Sequence, residues 1–268
     1  MKIAIGGKGG VGKTTVCAVW AQLFAEDGFD VLAIDADPST SLALAFGIPS
    51  EQGPQALIEM KELIAERTGT EKGSVGAYFK LNPKVSDLPE KYWLEVCIPK
   101  AEGRLKLLVL GSITQAGAGC ACPEGAFLKA MLTHTILQRE EVVLVDLAAG
   151  VEFMGRASVQ GIDALIVVVE PGARSIETAI NIARMAEKLG IKHVAAIINK
   201  VTEPGQIETI NSELTNIKAV GSIPYSGAVQ TADLARRAVI KSDAGLVEEL
   251  AKAKQRLTEL IGREAKVK

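Results

Sequence analysis

The stretch GKGGVGKTT, residues 7–15, follows the apolar run KIAI and leads into residues with helical spacing, so a glycine loop joins a strand to a helix. That context suits phosphate. Gly7, Gly9, Gly10 and Gly12, with Val11 among them, let backbone N–H groups turn inward around a phosphate chain, and Thr15 completes the loop. Lys13 supplies a mobile cation for the outer phosphates, and the Thr14 hydroxyl can complete a magnesium shell. A glycine-rich turn without a ligand would not explain a lysine and a threonine in the two chemically required places. Carboxylates follow at two later strand ends. VLAIDADPS carries Asp35 and Asp37, and VVLVDLAAG carries Asp146, placed to hold magnesium through water. Acidic residues at the carboxyl ends of parallel strands face the ligand crevice, although one of Asp35 and Asp37 can instead cap the following turn.

A second stretch, GAGCACPEG at residues 117–125, sets Cys120 and Cys122 one residue apart before a proline favoured at the first helical position. In an extended segment alternate side chains share a face, and helix N-termini stabilise anionic sulfur, so both sulfurs can act together. Two ligands fall short of the roughly four that a closed thiolate site takes. The chain offers no neighbouring cysteine or patterned histidine, so a two-fold dimer would supply the missing pair. A redox pair is the competing use, but the small ring of a CxC disulfide would be strained and readily reduced in a cytosol. Metal binding ranks above it. His134 lies within a helical pattern and His193 starts a strand, so both read as ordinary packed or surface residues. Cys17 and Cys97 are isolated and read as small buried apolar residues.

These groups need a scaffold, and the composition supplies one. The 268 residues are 48% hydrophobic and only 4% aromatic, which suits helices packed closely on a buried sheet. Short apolar runs at 2–7, 31–35, 104–111, 141–146, 164–170, 193–200 and 219–224 have strand length. Helical patterns separate most of them, for example TTVCAVWAQLFAEDG, AFLKAMLTHTILQR and SIETAINIARMAEKLG. The alternation predicts an α/β fold with a doubly wound, mostly parallel sheet and flanking helices, as one domain over 1–268. An insertion at about 48–100 breaks the rhythm, with a helix-like piece followed by a loop and a hairpin at the sheet edge. A long excursion of this kind favours an interaction role. Thirty basic against 32 acidic residues, a formal charge of -2, leave no electrostatic footprint for nucleic acid or anionic lipid. No signal peptide or membrane span is evident, so a cytoplasmic location is expected.

Lys8 extends the loop to KGGVGKT, the deviant Walker A pattern, and here the chain resembles the MinD-like P-loop ATPases. That superfamily includes the nitrogenase iron protein, the arsenite-pump ATPase, and division and partitioning ATPases. The resemblance implies ATP and magnesium as cofactors, ADP as product, and a nucleotide-sandwich homodimer in which Lys8 contacts the partner's ATP. It assigns Asp37 to orienting the attacking water, Asn199 of IINK, beside Lys200, to the adenine edge, and Pro224 of the IPY turn to flanking the ring. Glu170-Pro171 ends another strand near that crevice, with no specified role.

A narrower likeness is to the CooC-type maturation ATPases, which serve the nickel enzymes carbon monoxide dehydrogenase and acetyl-CoA synthase. It rests on GKGGVGKTT, DADP, LIEMKELIAERTG followed by LNPKV, the CxC pair, the Asp146 segment, the VEP run and INK. DLAAG departs from the pattern at Ala148, where Glu or Gly is expected. The likeness implies nickel held between Cys120 and Cys122 of both subunits, with zinc able to compete, and an apo-enzyme client. Two other functions compete with it. One is an iron–sulfur carrier or electron donor, and the other a positioning ATPase that attaches to DNA or membrane. The tail bears on the second: Leu246, Leu250, Leu257 and Leu260 or Ile261 form a single apolar stripe, as a core-packed helix requires.

Overall fold

A computed structural model describes residues 1–70, 78–111, 122–138, 141–149 and 161–265. Eight strands form one sheet in the order β3-β4-β2-β5-β1-β6-β7-β8. They are β1 (Lys2–Gly7), β2 (Val31–Ala36), β3 (Leu94–Val96), β4 (Leu105–Val109), β5 (Val142–Leu147), β6 (Ala164–Val169), β7 (His193–Val201) and β8 (Lys218–Pro224). All neighbours run parallel except β3, which pairs antiparallel with β4, Leu94 opposite Leu107. Every residue of β2, β5 and β6 is buried. Helices on both faces require that, and it explains why these strands read as unbroken apolar runs.

On one face α5 (Pro123–Gln138), α6 (Ala173–Lys188) and α7 (Gly205–Glu213) pack through Phe127, Met131, Ile176, Ile182 and Ile210. On the other lies α1 (Lys13–Glu26), whose residues Val16 to Gln22 are all buried. The helix therefore has no water-facing stripe there. One flank of it is covered by α9 (Ala244–Ala265), which packs directly on β8 beside it. Leu250 and Leu257 of α9 are fully buried, each worth about 1.5–3 kcal/mol, and Leu246 and Ala253 continue the stripe. Polar contacts set the register of the two helices. Trp20 Nε1–H donates to the Leu250 carbonyl at 2.9 Å, and Lys254 Nζ donates to Asp27 at 2.6 Å while lying 4.7 Å from the Phe24 ring.

The insertion is built into the core on the α5–α7 face of the sheet. Leu57, Ile64, Val85 and Leu88 pack there, carried by a 3-10 turn at Leu57–Glu59 and by α3 (Lys61–Thr68) and α4 (Leu88–Tyr92). Arg67 on α3 makes a two-pronged bond to Asp87, both contacts 2.9 Å, and these bonds with that of Lys91 hold the Asp87 carboxyl well below the usual range. Lys106 of β4 lies 4.1 Å from the Trp93 ring and 3.0 Å from Glu141, fastening the β3 edge. Among the described residues no helix is long and apolar enough to cross a membrane.

Candidate functional site

The glycine loop runs from the end of β1 at Gly7 to the start of α1 at Lys13, and β7 braces it from beneath. Asn199 Nδ2–H donates to the buried Val11 carbonyl at 2.7 Å, and Lys200 Nζ donates to the Gly10 carbonyl at 2.6 Å. Gly12 has φ +102°, and a Cβ there would collide with Asn199 Nδ2. Glycine is required at that place on both counts. Lys13 is buried, with its ammonium 3.4 Å from the Lys8 carbonyl, while Gly9 approaches Ala149 just beyond β5.

Parallel pairing sets the acids side by side. Asp146 of β5 lies between Ile5 of β1 and Asp35 of β2, in register with both. Both carboxyls are fully buried, and burial is the chief cause that pushes Asp146 up to about 7 and Asp35 up to about 6. The two differ in how they are used. Asp35 accepts from the N–H groups of Asp37 (3.1 Å) and Leu42 (2.9 Å), so both its oxygens are spent closing the loop between them. It is thus the capping member of the pair, each of its oxygens holding one backbone N–H of the loop. Asp146 Oδ2 accepts from the Thr14 hydroxyl at 2.6 Å, whereas Oδ1 is buried without a partner. A buried carboxylate oxygen left orphaned beside a threonine hydroxyl suits a hydrated magnesium ion. Asp37 is half-buried and accepts from the Ser39 N–H (2.9 Å) and hydroxyl (2.6 Å). Ser41 Oγ lies 3.4 Å from Thr14 Oγ1, a third hydroxyl that the run PSTS held in view but pattern reasoning passed over.

A cleft of about 400 Å³ opens beside the loop. Gly10, Gly12, Thr14 and Thr15 border it on one side; Asn199, Lys200 and Pro224 come from the ends of β7 and β8. Such a volume accommodates a nucleoside. Its remaining wall comes from α2 (Leu42–Ala45), through Leu44 and Ala45, and from α8 (Gly227–Leu234) and the residues around it, including Tyr225, Gln230, Asp233 and Arg237. Sequence reasoning missed this wall. The helix has eight residues and buries only Ala232, so its periodicity is too short to register, and the one local signal is Ser226 at its start.

Lys8 stands at the loop's lip, its side chain 41% exposed. Its ammonium is 3.5 Å from Glu170 Oε1, and the same carboxylate takes Lys200 at 3.0 Å through Oε2. Burial alone would raise the Glu170 carboxyl; the Lys200 bond and charge, with Lys8 behind them, bring it below its usual range.

Of the two thiols, Cys120 lies outside the described residues. Cys122 is half-buried directly before α5, where its Sγ accepts the Gly125 N–H at 3.3 Å, so the sulfur caps the helix. Among the described residues no cluster of three or more His, Cys, Asp or Glu is arranged to hold a metal. Cys17 is buried as expected, and burial pushes its thiol up. Cys97 is exposed, contrary to expectation, because the chain leaves the sheet directly after β3.

Residues 2–239 match the model of the CobQ/CobB/MinD/ParA nucleotide-binding domain. The chain is 42% identical over 237 residues to the carbon monoxide dehydrogenase accessory protein CooC of Rhodospirillum rubrum, covering 88% of each chain. It is 41% identical over 231 residues to an uncharacterized ATP-binding protein of Methanocaldococcus jannaschii, covering 85% of this chain and 87% of that one. Among solved structures, the cell division protein MinD of Aquifex aeolicus superposes with a TM-score of 0.68 at 20% identity over 96% of both chains. MinD of Pyrococcus horikoshii with Mg-ADP gives 0.67 at 17% identity, over 97% of this chain and 96% of that one. The chain therefore belongs to the CobQ/CobB/MinD/ParA nucleotide-binding family, as a CooC-type member with the MinD-like P-loop fold.

Proposed function

We propose that the protein is an ATP-hydrolysing maturation factor that supports nickel insertion into carbon monoxide dehydrogenase or acetyl-CoA synthase. The observation that carries the hydrolytic half is the buried Asp146 carboxylate, hydrogen-bonded to Thr14 through one oxygen and unpartnered at the other. Thr14 and Asp146 would hold magnesium, which supplies positive charge against the phosphates when bound. Lys13 and the loop N–H groups of Gly9 to Thr15 hold and orient the phosphate chain, and Asp37 orients the attacking water. The cleft bounded by Asn199, Lys200 and Pro224 receives the adenosine end. Lys8, exposed at the lip, reaches the ATP of a second protomer, as an arginine finger does.

The maturation half is supported by the relationship to an accessory protein of carbon monoxide dehydrogenase and by the thiol pair. Nickel is cargo here. Cys120 and Cys122 of two protomers provide four sulfurs, and closure of the dimer on ATP alters that site. Binding is reciprocal: a metal that prefers the closed dimer must favour closure to the same extent. The client docks near the thiols or on the insertion at 48–100. A positioning ATPase is disfavoured, because the stripe of α9 is spent on the core of the same chain.

Metal analysis with size-exclusion chromatography, with and without ATP or ADP, tests this on the parent and on Cys120→Ser. The parent should carry one metal per dimer, and the variant none. A variant that binds nickel or zinc as tightly and dimerises identically, or a monomer holding its own metal, defeats the mechanism. Zinc must be excluded during preparation, since a four-thiolate site takes it readily.

A further inference from the structure

Glu170, which joins Lys8 to Lys200 at the loop's lip, has no part in the hydrolytic scheme, and its two ion pairs are unequal. Glu170 sits at the end of β6, where its N–H donates to Ser175 Oγ at 3.1 Å. One oxygen is held at 3.0 Å by Lys200, which is itself fixed by the 2.6 Å bond to the Gly10 carbonyl and by a left-handed backbone, φ 60°. A non-glycine residue keeps that conformation only where its surroundings over-determine it. Lys200 is therefore the permanent partner. The other oxygen faces Lys8 across a longer 3.5 Å gap, and the Lys8 side chain is 41% exposed. Lys8 is the releasable partner.

We propose that Glu170 is a positioning residue that parks Lys8 on its own protomer and so sets how readily two nucleotide-loaded protomers close. This rests on the cross-interface role of Lys8 proposed above. To reach a phosphate in a second chain, the ammonium must leave Glu170 and exchange one anion for another. A half-exposed ion pair is weak enough for a multiply charged phosphate chain to outcompete it, but in a two-fold dimer it is broken twice. Removing the carboxylate's charge should therefore tighten closure about three-fold per copy, on the order of ten-fold in the dimer dissociation constant.

Analytical ultracentrifugation of the full chain, with magnesium and a non-hydrolysable ATP analogue at saturation, tests this in a double-mutant cycle. Glu170→Gln should dimerise about ten-fold more tightly than the parent, Lys8→Gln more weakly, and the gain from Glu170→Gln should vanish in the Lys8→Gln background. Lys200→Met leaves Glu170 with Lys8 alone and should weaken dimerisation. A purely structural triad would instead move Glu170→Gln and Lys200→Met in the same direction. If Lys8→Gln weakens the dimer and Glu170→Gln does too, parking is overturned while the cross-interface role stands. If Lys8→Gln dimerises like the parent, both ideas fall.

Discussion

With nucleotide and magnesium absent, Asp146→Asn should raise the protein's stability at pH 8, although it removes a group the chemistry needs. The carboxyl titrates at about 7 in the fold against 3.8 as its ordinary value. A raised carboxyl withholds stability rather than adding it. Below its ordinary value both states are protonated and nothing is lost; as pH rises toward 7 only the unfolded chain ionises freely, and above that the loss is complete. At about 1.4 kcal/mol for each unit of difference, the burden is about 4 kcal/mol at pH 8 and about 1.7 kcal/mol at pH 5. Asparagine removes it but leaves an amide N–H where Oδ1 had no partner, which costs about 1–3 kcal/mol at either pH. The expected net gain at pH 8 is then about 1–3 kcal/mol, several degrees in melting temperature at about 2–4 °C per kcal/mol. At pH 5 the gain should disappear. Calorimetry in EDTA across this range, as variant minus parent, reads the effect of removing the Asp146 charge, including its repulsion with Asp35. A difference that does not change between pH 5 and 8, or that favours the parent more at pH 8, refutes the reasoning. Added Mg-ATP should reverse the order, because only the parent gains the ligand's binding energy in full.

Three further outcomes are expected. Asp37→Asn should slow phosphate release about 10²- to 10³-fold while leaving nucleotide binding intact, so that ATP-bound dimer accumulates in sedimentation. Gly12→Ala should abolish nucleotide binding in a titration with a fluorescent ATP analogue, since the new methyl displaces Asn199 from Val11 and the backbone sits at φ +102°. Trp20→Phe removes the indole bond to the Leu250 carbonyl and leaves a gap in the core, and should cost about 1–3 kcal/mol in denaturant unfolding, with nucleotide affinity little changed.

The parts legible in the sequence were those whose signal is local. GKGGVGKTT between a strand and a helix, and Asp146 directly after the four apolar residues VVLV, announce themselves within a dozen residues. What escaped depends on register between distant segments. Lys8, Glu170 and Lys200 meet only because β1, β6 and β7 are adjacent and parallel. Asp35 and Asp37 look alike in DADP, and only the fold shows that the first spends its carboxylate on the loop. The burial of α1 on every side was likewise hidden, since its cover is supplied more than 200 residues later.

That cover governs when the protein can first work. The glycine loop and α1 are synthesised well before the flank that Leu250 and Leu257 supply, Trp20 preceding Leu250 by 230 residues. At about 5–20 residues per second, roughly 10–45 s separate the two. Through that interval Trp20 and Phe24 lack the side that α9 covers. A nascent or prematurely ended chain therefore carries the whole phosphate-binding motif with one flank of the helix behind it still open to water.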